Sequence, residues 1–326
     1  MGVNVIMYHY VRNNEDNEYD TYCRRKNEFE SQIEFFEKSS SITNPSDLEK
    51  IKYYLNNNNE STYLLTFDDG YKDHLYCAKY LFSKDLSAFF FPTINAINGI
   101  LLEVNAIHML LGKRGIDIKN IINLLSNICL ENNFLLNLNG NKVDIKTYIN
   151  KFNLDENYDD KDTQIVKKIL QRDLIGEENR NHVINILLEF FIGKSHSQIA
   201  QELYLNKENL LMLKKMGMIF GSHGNTHRWL SNLNYFEQKN EIKKSFHTLK
   251  NIKLIEDKDP KVMCYPFGGF NDETISIMKD LNFDFGFTTK EAGSYLNKDE
   301  LSIFKLPRWD TNNCWDNKWR RPCEPC

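Results

Sequence analysis

The chain of 326 residues predicts an α/β fold of parallel strands. Two observations carry that expectation. Apolar runs of strand length alternate with segments of helical periodicity, and this alternation implies strands that pair in parallel and are returned by helices. In addition, the side chains able to do chemistry cluster where the apolar runs stop, the end at which α/β folds build their sites.

The expected strands span residues 3–9, 62–67, 88–92, 218–223, 262–266, 284–288 and 303–307. Each is a short run enriched in β-branched, aromatic and other apolar residues. Between most of them lie helical patterns. Residues 27–38 repeat apolar side chains at Phe29, Ile33 and Phe36; residues 75–84 follow an Asp-Asp-Gly turn. Residues 235–249 carry Phe236, Ile242, Phe246 and Leu249, and residues 274–281 carry Ile275 and Met278. The segment 103–215 breaks the alternation. It lacks proline, is rich in Asn, Lys, Leu and Ile, and shows helical periodicity at 116–130 and 183–191, with a polar loop expected at 151–162. It reads as a helical insertion within one domain spanning 1–326, serving either as scaffold or as a lid, cleft wall or dimer surface.

Composition narrows the class. A hydrophobic content of 41% and an aromatic content of 13% suffice for a sizeable core. The formal net charge of −4 offers no basic field for nucleic acid. No apolar run is long enough to span a bilayer. Without a basic region followed by an apolar stretch at the N-terminus, the expected compartment is the cytoplasm, or the exterior if a leader was removed. The seven cysteines are odd in number and irregular in spacing, so they give no disulfide framework. Cys323 and Cys326 form a C-x-x-C pair at the end of the sequence and read as an exposed tail.

Two stretches carry chemistry. Tyr63-Leu64-Leu65-Thr66-Phe67-Asp68-Asp69-Gly70-Tyr71 is an apolar run ending in adjacent carboxylates and a glycine. Two like charges held together raise one pKa, a penalty that a cation reverses. The turn is therefore either a polar cap or a metal ligand beside a general base. Gly217 to His227 is a second apolar run, ending in His223 and His227 four residues apart, a spacing that lets both imidazoles face one point. Together they offer one carboxylate and two imidazoles for a metal, plus a spare carboxylate. Three protein ligands leave a position open for water, as in catalytic zinc sites.

With these residues the chain resembles the polysaccharide deacetylases, the NodB-homology or carbohydrate esterase 4 family. Thr66-Phe67-Asp68-Asp69-Gly70 is similar to the family's first motif, and His223-Gly224-Asn225-Thr226-His227 to its second, with Gly224 in the Ser/Thr place. Tyr265-Pro266-Phe267-Gly268 resembles the third. Leu306-Pro307-Arg308 and the early Met7-Tyr8-His9-Tyr10-Val11 resemble elements of the branch that deacetylates poly-N-acetylglucosamine. The resemblance implies a distorted, incomplete (β/α) barrel of about seven parallel strands.

It also implies roles. Asp69, His223 and His227 are the expected metal ligands, for Zn2+ or for Co2+ or Ni2+. Asp68 is the expected base, and the backbone N–H of Phe267 the expected oxyanion donor, with Gly268 and Gly269 keeping that loop close to substrate. The late Leu-x-His of many relatives is missing, since His247 is the last histidine and falls in an expected helix. His9 is the candidate acid in its stead. Cys264 stands where many relatives carry an arginine that orients the base, and Arg308 is the candidate to supply that charge. Tyr71, Tyr265 and Trp309 are candidate sugar-stacking surfaces. The expected function is a metal-dependent hydrolase removing an N-acyl group, acetyl above all, from an amino sugar in surface-glycan synthesis. The alternatives are an exported polymer deacetylase of chitin, peptidoglycan or poly-N-acetylglucosamine type, or a catalytically weak glycan-binding module. An unligated Asp68 argues against the last.

Overall fold

The structure is a computed structural model that describes residues 2–13, 19, 23–57, 59–154, 159–291 and 303–311. Cys314, Cys323 and Cys326 lie outside the described residues. The chain divides into two compact units, one formed by residues 1–13, 22–99 and 201–326, the other by 14–21 and 100–200.

The first unit holds the parallel sheet. Its strands are β1 (Val3–Tyr8), β2 (Ser41–Ile42), β3 (Thr62–Asp69), β4 (Phe89–Pro92) and, after the hairpin strands β5 (Leu136–Leu138) and β6 (Asn141–Val143) of the second unit, β7 (Ile219–Phe220), β8 (Val262–Cys264), β9 (Phe285–Glu291) and β10 (Leu306–Asp310). Seven of them run β7-β4-β3-β1-β10-β9-β8, and β2 pairs with the first residues of β3. The two ends of that order meet at one parallel bridge, where Ser222 N–H donates to Val262 O and Cys264 N–H to Ser222 O, each at 2.9 Å. The sheet is thus a nearly closed (β/α) barrel of seven strands.

Side chains alternate across such a sheet with period two. On β3, Tyr63, Leu65 and Phe67 join an outer layer with Phe29, Ile33 and Phe36 of the helix Lys26–Ser39 and Cys77, Ala78 and Leu81 of the helix His74–Ser83. Leu64 joins an inner layer with Val3, Val5, Phe89, Phe91, Val262, Cys264, Phe285, Phe287 and Leu306. Phe67 is stacked between Tyr8 at 5.0 Å and Phe90 at 4.7 Å, so truncating it to alanine would cost about 3–5 kcal/mol. The same alternation carries Asp68 inward from β3 and Arg308 inward from β10, while Trp309 turns outward onto the outer layer. Gly221 has no room for a side chain: a Cβ there would lie 2.4 Å from the Phe91 ring and 2.6 Å from Val262 Cγ2.

The second unit is mainly helical, with helices Glu103–Gly112, Ile118–Glu131, Ile145–Lys151, Lys161–Lys168 and Glu177–Ile192 around buried Leu125, Ile165, Ile169 and Leu187. Of the loop expected over 151–162, Lys151 and residues 161–162 are helical and residues 155–158 lie outside the described residues; the β5–β6 hairpin is an element the sequence reading lacks. Residues 201–215 belong to the barrel unit, where Leu210 and Leu213 of the helix Lys207–Lys215 enter the outer layer. Among the described residues no helix is long and apolar enough to cross a membrane.

Candidate active site

Because the strands are parallel, their C-terminal ends share one rim. His9 follows β1, Asp68 and Asp69 end β3, His223 follows β7, Phe267 follows β8, and Arg308 lies on β10. Arg308 and Asp68 are both buried and form a bidentate pair, Nη1 to Oδ1 at 2.9 Å and Nη2 to Oδ2 at 2.7 Å. Arg308 also donates to Thr66 Oγ1 at 3.1 Å and to Thr288 O at 2.9 Å, which fixes the plane of the guanidinium. Burial is the largest single influence and raises the Asp68 pKa, but the charge and hydrogen bonds of Arg308 together with His223 and His9 outweigh it and bring the carboxyl down to about 2. The sequence placed a cysteine where many relatives carry an arginine, and the structure puts Arg308 Nη2 3.0 Å from Cys264 Sγ. The charge therefore arrives beside Cys264 from a different strand.

The neighbouring carboxylate points elsewhere. Asp69 has φ of 70°, an unfavourable conformation for a non-glycine residue, and it turns the side chain toward the histidines. His223 Nε2 and His227 Nε2 each lie 3.3 Å from Asp69 Oδ1. Metal–ligand bonds of roughly 2.0–2.1 Å in a tetrahedron put neighbouring ligand atoms about 3.3 Å apart. Asp69 Oδ1 is buried with no hydrogen-bond partner, an arrangement that costs energy unless a cation completes it. His223 Nδ1 lies 2.9 Å from Cys264 O, so with its proton there Nε2 keeps its lone pair for the site. Tyr71 OH donates to the other oxygen, Asp69 Oδ2. These three residues fit a divalent metal. A second group, Asp68, His223 and Cys264, is also close enough for one, but the Arg308 cation already binds both oxygens of Asp68.

The loop between the histidines is held from outside. Its backbone N–H groups at Asn225 and Thr226 both donate to Glu241 Oε2 at 2.9 Å, and Thr226 Oγ1 donates to Oε1 at 2.9 Å. Glu241 comes from the helix Tyr235–Asn251, whose buried stripe is Gln238, Glu241, Ile242, Ser245 and Leu249. Phe236, expected among its apolar contacts, is 80% exposed. His227 has φ of 63° and Phe267 has φ of 56°. With Asp69, three non-glycine residues of one rim occupy this costly region, a pattern typical of functional sites. Gly268 follows at φ of 67°, where a Cβ would lie 2.1 Å from Thr289 Oγ1.

His9 Nε2 is 3.8 Å from Asp68 Oδ2, and its side chain is 30% exposed. Its backbone oxygen is 2.8 Å from Nε2 of the buried His74. The three aromatic candidates need correction. Tyr71 and Tyr265 are buried, the first bonded to Asp69 and the second donating from its hydroxyl to Phe304 O at 2.9 Å, so neither presents a face to a sugar. Trp309 packs on the outer layer and donates from Nε1 to Asn4 Oδ1 at 3.4 Å. The aromatic that the sequence reading missed is Trp229. It is 43% exposed and stacked on Phe267, with ring centroids 4.7 Å apart and planes 10° apart. Glu241 was missed as well, although its spacing with Ile242, Ser245 and Leu249 marks the buried face of its helix.

The family described as polysaccharide deacetylase matches residues 157–286, which include the histidine loop and the Pro266 turn. By this match and by its barrel the chain is similar to the polysaccharide deacetylases. Solved structures share the fold. A Streptococcus pyogenes deacetylase, PplD, solved in complex with acetate, is 15% identical with a TM-score of 0.55, covering 96% of this chain and 93% of its own. IcaB from Ammonifex degensii is 12% identical with a TM-score of 0.51, over 95% of this chain and 91% of its own. A de-N-acetylase from Aggregatibacter actinomycetemcomitans is also 12% identical with a TM-score of 0.51, over 94% and 93%. No curated protein matches the chain.

Proposed function

We propose that this protein is a metal-dependent hydrolase that removes the N-acetyl group from an amino sugar of a glycan. One observation carries the reading: Asp69, His223 and His227 converge on a point where Asp69 Oδ1 is buried without a partner, and an unligated carboxylate, Asp68, stands beside them. Zinc held there, or cobalt or nickel on the same donors, would polarise the amide carbonyl and acidify the attacking water.

The chain's own groups would do the rest. Asp68 accepts the proton of the attacking water. It is ionised across the neutral range because Arg308 faces it, and a carboxylate has about four lone-pair sites, of which the guanidinium takes two. The Phe267 backbone N–H donates to the oxygen that gains charge. The half-exposed His9 protonates the leaving amine, and it lies near enough to Asp68 for the proton to pass through one water. A pure glycan-binding module has no use for a base held in this way.

The test is acetate release from N-acetylglucosamine oligomers by protein purified without chelator. The preparation should hold about one equivalent of divalent metal. Chelation should stop release and zinc should restore it. His9→Ala should depress amide hydrolysis far more than hydrolysis of an activated acetate ester, whose leaving group needs no proton. Metal-loaded protein that releases no acetate from any N-acetylated sugar would refute the reading.

A further inference from the structure

We infer that His74, a buried histidine outside the reaction steps above, is the positioning residue for His9: its Nε2–H holds the backbone of the acid so that the imidazole stands beside Asp68. The inference rests on the deacetylase reading above and deepens it, because it names what sets the acid in register with the base.

His9 lies just beyond β1, whose pairing with β3 ends at Tyr8 opposite Phe67. The segment that follows is gripped by the first turn of the helix His74–Ser83. Asp73 stands at the N-cap of that helix, where a carboxylate ordinarily accepts from the helix's own N–H groups. Its Oδ2 accepts instead from Val11 N–H at 3.2 Å and from Arg12 Nε at 2.6 Å. His74 Nε2 is 2.8 Å from His9 O. A carbonyl oxygen can only accept, so the ring carries its proton on Nε2 and is the donor. The helix thus holds the acid's segment at Val11 by an acceptor and at His9 by a donor.

Packing alone does not call for a histidine at this position. The ring is fully buried and meets Phe67 at 5.3 Å, Tyr71 at 5.6 Å and Phe90 at 5.9 Å, each edge-on. Its Nδ1 is buried without a hydrogen-bond partner, a cost that phenylalanine in the same cage would not carry. What the imidazole adds is the N–H toward His9. The cage is itself tied to the site, since Phe67 precedes Asp68 and Tyr71 donates to Asp69 Oδ2. The ring therefore fixes the backbone of His9 relative to the strand end that bears both carboxylates. From there His9 Nε2 stands 3.8 Å from Asp68 Oδ2. Misplacing a reacting group by roughly 1 Å can cost up to about a hundredfold in rate.

The experiment compares acetate release from N-acetylglucosamine oligomers with hydrolysis of para-nitrophenyl acetate, whose leaving group needs no proton. The proteins are wild type, His74→Phe, His74→Gln, His9→Ala and His9→Ala with His74→Phe, with metal content and thermal unfolding measured on each. His74→Phe fills the cage without a donor and should cut the amide-to-ester ratio of kcat/KM about tenfold at constant metal content. His74→Gln, whose side-chain N–H can reach the same carbonyl, should recover part of it. In the His9→Ala background His74→Phe should cost amide hydrolysis nothing more, because it acts through the residue already removed. If His74→Phe does not fold, His74→Met against His74→Gln gives the same comparison of a side chain without and with a donor. Equal losses on amide and ester, or a loss that adds to that of His9→Ala, would make His74 a packing residue and overturn the inference while leaving the deacetylase reading standing. An unchanged ratio in His9→Ala would remove His9 as the acid and the inference with it, yet leave metal-dependent acetate release intact. Metal-loaded wild type that releases no acetate refutes both.

Discussion

Arg308 and Asp68 are joined by two parallel hydrogen bonds across the inside of the barrel, from strands that are not adjacent. Each is buried, and each would be an uncompensated charge without the other. Arg308→Met should therefore cost about 3–5 kcal/mol in denaturant unfolding, and Arg308→Met with Asp68→Leu should recover much of it. Arg308→Lys keeps the charge and loses the fork, so it should fall between. A single variant as stable as wild type would mean that Asp68 does not depend on Arg308.

The two adjacent carboxylates should separate by phenotype. Asp68→Asn should retain metal and lose roughly two to four orders of magnitude in turnover, the usual contribution of a positioned base. Asp69→Asn should lose metal instead, because its Oδ1 is the atom both imidazoles approach. Elemental analysis and initial rates on the two variants decide the matter, and exchanged phenotypes would reverse the roles.

Glu241 should behave as a positioning residue for the histidine loop. Glu241→Ala removes the acceptor for two backbone N–H groups and one hydroxyl, and should weaken metal affinity roughly 10–100-fold. Glu241→Gln keeps one acceptor oxygen and should restore part of the affinity. Metal titration of both variants checks this, and full affinity in Glu241→Ala would show that the loop holds its shape unaided.

His74 should give the fold an acid-sensitive step. Burial pushes its pKa from 6.5 down to about 4. Between those values the unfolded chain binds a proton that the folded chain refuses, so stability rises with pH across the window and is lost as the pH falls. The full window is worth on the order of 3 kcal/mol. His74→Phe should flatten the unfolding free energy between pH 6.5 and pH 4 relative to wild type. Parallel slopes in the two proteins would assign the acid sensitivity to other groups.

Much of this was legible locally. β3 ends at Asp69, two residues past its expected end, and β7 at Phe220, three residues before its own; the agreement on β3 arises because a run such as Tyr63 to Phe67 can bury both faces only as an inner strand. The two-residue β2 carries no periodicity and was invisible. Phe236 and Trp229 show the limit from the other side, since apolar character says nothing about whether a neighbour arrives to cover it.

The sequence by itself determined the alternation of strands and helices, the rim that gathers the polar residues, and the carboxylate and imidazoles that can share a cation. Those follow from short-range rules: period two in a strand, turn chemistry after it, and the donor preferences of metals. Only the tertiary structure decided that the guanidinium beside Cys264 comes from β10, that Glu241 grips the histidine loop, and that Trp229, not Tyr71, Tyr265 or Trp309, offers an open ring. Each of these depends on which distant segments meet when the barrel closes at Ser222 and Met263, and that closure is set by the packing of the whole inner layer, which no local pattern encodes.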